Sequence, residues 1–184
     1  MEWLLAILAV VILVAFWVFS TYNSFIGLKN KCDEAFSTMD VYLTKRYDLI
    51  PNLVETVKGY ATHEKETLEQ VISARNRAVN ANTVAEKMEA EQSLSGTLGR
   101  LFALSESYPD LKANTNFLDL QSQLQKMEAE IANARKYYNG VIKMFNTKVE
   151  QIPSNIIAGI FGFTTKPMFE VTDASHRDNV KVQF

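Results

Sequence analysis

Apolar residues recur along this chain at spacings of three and four, and nowhere over a long run at two. The first 3.5-residue seam is Phe25, Leu28, Cys32, Ala35, Met39 and Tyr42. A second run holds Val54, Val57, Ala61, Leu68, Val71 and Ala78. A third holds Val84, Met88, Leu98 and Phe102, flanked by Leu94 and Leu101. The fourth is the most regular: Phe117, Leu120, Leu124, Met127, Ile131, Ala134, Tyr138, Val141 and Phe145. Each run is too long for a strand and marks one buried stripe of a long helix.

Three breaks separate the seams and argue against one extended coiled coil. At "TKRYDLIPNLVETV", Asp48 is placed to cap a new helix and Pro51 to sit in its first turn, where a missing N–H costs nothing. The rival reading of that corner is a helix kinked but continuous through Pro51. At Asn80 to Thr83, "NANT" joins poor helix formers to cap formers. At "YPDLKANT", Pro109 ends the third helix and Asp110 or Thr115 can cap the fourth. Short connections between long helices make neighbours antiparallel. The expected fold is all-α: an N-terminal transmembrane helix and a long up-down-up-down four-helix bundle with coiled-coil-like packing. A mostly irregular C-terminal tail completes it.

The first residues carry a different pattern. Trp3 to Phe19 contains no charge and no proline. At ~1.5 Å per residue, this stretch spans roughly the hydrocarbon thickness of a bilayer. Trp3, Trp17 and Tyr22 stand near its ends, where interfacial aromatics belong. A cleaved signal peptide would have a basic start and a small-residue cleavage site, whereas Glu2 and "FWVFSTY" supply neither. Residues 1–21 therefore read as a retained single-pass anchor in the cell membrane, 22–149 as the bundle and 150–184 as the tail. Lys29 and Lys31 follow the span and no Lys or Arg precedes it, so the bundle leans to the cytoplasm.

The tail breaks the helical period. "EQIPSNIIAGIFGFTTKPMFEV" holds two prolines and two glycines. Its uncharged patch is too short to cross a bilayer. If four helices alternate in direction, this patch returns to the lipid end. Ile156, Ile157, Ile160, Phe161 and Phe163 then face the bundle itself, lipid or another copy of the chain. "PMFEV" and "VKVQF" either pair as two short strands or lie extended along the bundle.

"RYDLIPNLV", "ANARKYYNGVIKMFNTKVEQIPSNIIAGIFGF" and the close "MFEV…VKVQF" together resemble the LemA family of bacterial membrane proteins. The resemblance covers nearly the whole chain. It implies a membrane-anchored four-helix bundle and no enzyme activity.

Charge enters where the seams misfit. Arg46 extends the first seam, Glu64 and Arg75 the second, and Glu91 the third. Buried charges persist when paired, so these four form a candidate ionic network, with Asn52 and Asn139 as hydrogen-bond partners. The same residues serve equally as register-setting groups or as side chains reaching water.

Other chemistry finds little support. Acidic and basic side chains number 21 and 19, without a basic stripe for nucleic acid. One cysteine, Cys32, excludes an intramolecular disulfide and a Cys-rich metal knuckle. A di-metal carboxylate bundle needs Glu-x-x-His pairs, and Tyr60 stands three positions before His63. Cys32 and His63 lack an orienting third group. Gly96 and Gly99, like Tyr137, Tyr138 and Asn139, read as packing. No cofactor is expected.

The chain therefore reads as a membrane-anchored scaffold or interaction protein without catalytic activity, one that self-assembles or engages other membrane proteins. The alternatives are an adaptor regulating a membrane enzyme such as a protease, and an enzyme or ligand-binding bundle using Arg46, Glu64, Arg75 and Glu91.

Overall fold

A computed structural model describes residues 1–169 of the chain. Within them the protein is helical and without strands. The elements are α1 (Glu2–Lys58), α2 (Lys65–Asn80), α3 (Val84–Ser105), α4 (Pro109–Lys112), α5 (Thr115–Glu150) and α6 (Ser154–Phe161). The proposed pairing of "PMFEV" with "VKVQF" lies outside the described residues.

The chain does not reverse at Asp48–Pro51. Helix α1 continues through both, with Asp48 and Pro51 exposed on its outer side. The physical reason is the seam itself. Met39, Leu43, Arg46, Ile50, Leu53 and Val57 are all buried, and their three-four spacing never loses phase across the proline. Reversal comes later, at residues 59–64, where the Tyr60 and Ala61 N–H groups both bond the Val57 carbonyl.

The other two breaks lie where the composition placed them. Thr83 caps α3 with a reciprocal capping box. Its hydroxyl accepts from the Glu86 N–H at 3.2 Å, while the Glu86 carboxylate accepts from the Thr83 and Asn82 N–H groups at 3.0 Å. Those backbone donors, Thr83 first, hold the Glu86 carboxyl below the usual range. Pro109 opens the single turn α4. The cap of α5 is neither Asp110 nor Thr115 but Asn114, whose side-chain oxygen accepts from the Phe117 N–H at 2.9 Å.

The helices contribute to two compact units. One comprises residues 42–131 with Phe169. Here the end of α1, then α2, α3 and the start of α5 alternate in direction. Tyr47 meets Arg75, Arg77 meets Ser93, Gln70 meets Arg100, and Phe102 meets Phe117. Its core includes Ile50, Leu53, Val71, Leu94, Leu101, Leu111 and Phe117. Each such side chain stabilises the fold by about 1.5–3 kcal/mol relative to exposure.

The other unit comprises residues 1–41 and 132–168. The first part of α1 pairs with the last part of α5 in antiparallel order, Phe36 beside Tyr138 and Phe25 beside Phe145. Within the tail, expected to be mostly irregular, residues 154–161 make one short helix. Ser154 ties that helix to the end of α5, its hydroxyl lying 2.7 and 2.8 Å from the Lys148 and Gln151 carbonyls. Gly162, at φ 71°, terminates α6 in the left-handed region that glycine enters without steric cost. In this same unit α1 carries a stretch of mean hydropathy 2.8, long and apolar enough to cross a membrane.

Candidate functional site

Arg46 sits at the centre of the 42–131 unit and is 2% exposed. Its heptad position turns it inward, so its charge must be met inside. Nη2 pairs with Glu91 Oε2 from α3. Nη1 reaches Glu128 Oε2 of α5 at 2.5 Å and Ser95 Oγ at 3.4 Å. The Tyr47 hydroxyl donates to the other Glu91 oxygen. Lys87, one turn before Glu91, is also buried. Burial pushes the Glu91 carboxyl up, against the Arg46 charge and the Tyr47 hydroxyl, which pull it down. Arg46 Nε has no hydrogen-bond partner among the described residues.

The structure brings together Arg46 and Glu91 from the expected network. Arg75 joins them through the backbone: its Nε donates to the Tyr47 carbonyl at 3.2 Å. Glu64 sits elsewhere, at the turn before α2, accepting from the Tyr108 hydroxyl at 3.1 Å. Asn52 is exposed on α1, where its backbone carbonyl accepts from Thr56 Oγ1. Asn139 is half-buried and belongs to the other unit. Glu128, Tyr47 and Ser95 were not foreseen. Glu128 and Ser95 are polar residues next to seam positions, and Tyr47 passes for an ordinary apolar side chain.

Chemically, this centre is an ion cluster: a guanidinium, 2% exposed, is met by two carboxylates and a hydroxyl, and the Glu128 side chain among them is 56% exposed. Among the described residues no three His, Cys, Asp or Glu side chains converge as a metal site. Cys32 is buried on α1 and burial pushes its thiol up, with the Lys166 charge opposing.

A second constellation belongs to residues 1–41 and 132–168. Phe163 stacks on Phe25 at 4.7 Å and 13°, and meets Phe145 edge-on at 6.5 Å. Tyr22 contacts Phe161 at 4.7 Å and Phe163 at 5.9 Å. Residues 163–167 then run as a strap back along α1 and α5. The Asn146 amide holds it twice, donating to the Lys166 carbonyl and accepting from the Lys166 N–H, both at 2.8 Å. The Lys166 amine pairs with Asp33 at 2.9 Å, and the Tyr138 hydroxyl donates to the Pro167 carbonyl at 3.2 Å.

The apolar tail residues therefore do not act as one patch. Ile157 is buried, and Phe163 is half-buried in the aromatic cluster. Ile156, Ile160 and Phe161 remain exposed.

A model of the LemA family matches residues 35–184. Protein LemA of Metamycoplasma hominis is 23% identical over 157 residues, covering 85% of this chain and 72% of that protein. Magnetosome protein MamQ 2 of Paramagnetospirillum magneticum is 23% identical over 192 residues, covering 90% and 70%. Magnetosome protein MamQ of Magnetospirillum gryphiswaldense is 23% identical over 188 residues, covering 87% and 69%.

Proposed function

Because the chain belongs to the LemA family, we propose that it works as a single-pass membrane protein presenting a non-catalytic helical module for association. The observation that carries this reading is the start of α1. Leu4, Leu5, Ile7, Leu8, Val11, Ile12, Leu13 and Phe16 are all exposed, on every side of the helix. In water such a surface would aggregate; in a bilayer it is the ordinary surface of a spanning helix. The same helix then runs into the packed seam without interruption, so anchor and module share one rod of backbone.

Two observations favour association over catalysis. The internal charges are engaged with one another and with backbone, as Arg46, Glu91 and Arg75 are. In addition, α2 and α3 border an open groove of about 1310 Å³ whose lining includes Gln70, Arg77, Ser93, Thr97 and Arg100. Lys29 and Lys31, following the span, favour a cytoplasmic module.

Crosslinking in native membranes, followed by identification of the joined chains, tests the reading. A self-assembling scaffold gives crosslinks between copies, and an adaptor gives a defined second protein. Monomer alone, with protease digestion of the module only from the outer side, would refute both association and orientation.

A further inference from the structure

Helix α6 is apolar on both of its faces. Ile157 and Ala158 turn inward and are buried. Ile156 and Ile160 stand four residues apart on the outer side, and are 57% and 69% exposed. No charged side chain occurs from Gln151 to Thr165. A helix that is hydrophobic all round is normally covered all round. Here the outer stripe is bare among the described residues.

The place of α6 says what covers it. Phe161 packs against Tyr22, and Tyr22 lies three residues beyond Phe19, the last residue of the uncharged apolar run of α1. Three residues of helix are about 4.5 Å. Ile160, next to Phe161 in the chain, is thus placed about one helical turn along α1 from the end of its uncharged apolar run. Eight helical residues measure about 12 Å, too short to cross a bilayer but suited to lying within its interface. Tyr22 has the ring and hydroxyl that an interfacial side chain needs.

We infer that α6 is a second membrane contact, lying in the interfacial layer of the leaflet that α1 enters, with Ile156 and Ile160 toward the acyl chains. The inference rests on α1 being a span. It gives the α1–α5 hairpin two attachments to the lipid, so that hairpin holds a set attitude rather than turning freely about one helix.

Spin labels test it in the full chain. Cys32→Ser carries single cysteines at Leu13, Val79, Ile156 or Ile160, and each protein is reconstituted in phosphatidylcholine bilayers. Collision with oxygen reports lipid, and collision with a water-soluble nickel chelate reports water. Leu13 should report lipid and Val79 water. Labels at Ile156 and Ile160 should follow Leu13, with an oxygen-to-nickel ratio about fivefold or more above that at Val79. Nickel access at Ile160 equal to that at Val79, with Leu13 in lipid, would overturn the inference and leave the span standing. Low collision with both reagents at Ile156 and Ile160 would mean a protein cover, such as a second copy, and would also overturn it. Leu13 in water would overturn the span, and the inference with it.

Discussion

Arg75 on α2 donates through Nε to the Tyr47 carbonyl on α1 at 3.2 Å, and this is the carbonyl that Pro51 deprives of its helical donor. In an uninterrupted helix the residue at 51 would bond the carbonyl at 47. Proline has no N–H to give. The guanidinium of a neighbouring helix supplies a donor at this carbonyl, in a helix whose buried seam runs through the proline without losing phase.

Arg75 and Pro51 should therefore be thermodynamically coupled. Arg75→Ala is expected to cost about 1–2 kcal/mol, because it removes the part-buried bond to the Tyr47 carbonyl. In a Pro51→Ala background residue 51 supplies the N–H itself, and the same change should cost less than about 0.5 kcal/mol. A double-mutant cycle by chemical denaturation in detergent checks this. Equal costs in the two backgrounds would show that the bond contributes nothing.

The Arg46 cluster should respond asymmetrically. Arg46→Met alone strands the Glu91 charge in the core and is expected to cost about 3–5 kcal/mol. Pairing it with Glu91→Leu removes the stranded charge and should recover most of that loss. Thermal unfolding of the two single variants and the double variant measures the coupling. A double variant as unstable as the sum of its parents would contradict the assigned pairing.

Glu91 also predicts a pH dependence. Its folded-state pKa lies above the ordinary carboxylate value, chiefly through burial. The folded protein therefore binds this proton more tightly than the unfolded chain does. The stabilising contribution is complete below the ordinary carboxylate pKa and is lost as pH rises through the folded value. The stability difference between the native chain and Glu91→Gln should decline over that window and level off above it. A difference that grows with pH there would mean that Arg46 outweighs burial.

The strap should govern access to Cys32. The thiol is 1% exposed and raised by burial, and its labelling by a maleimide at neutral pH should need local opening. Asn146→Ala removes both bonds to the Lys166 backbone, and Phe163→Ala removes the stack on Phe25. Each is expected to speed labelling about tenfold or more with helicity unchanged. Unchanged rates would show that residues 163–167 do not protect this face.

Much of the fold was legible along the chain because it is written in short-range terms. Heptad spacing identifies the buried stripes of α1 and α5, and the Thr83–Glu86 box marks a helix start within four residues; in α3 the buried stripe runs through Ala90, Leu94, Leu98 and Leu101, while the seam residues Val84, Met88 and Phe102 are half-buried. The bare apolar start of α1 follows from composition alone. What local reasoning could not weigh was the proline. Asp48 and Pro51 have the chemistry of a helix start, and it is the burial of the seam through them, with a donor 28 residues away brought near by folding, that favours a helix interior. The partners of Arg46 are likewise a tertiary matter. Glu128 stands beside its seam, not on it, and only the approach of α5 brings its carboxylate within 2.5 Å. Period and capping are properties of neighbours in sequence; the pairing of buried polar groups is decided by neighbours in space.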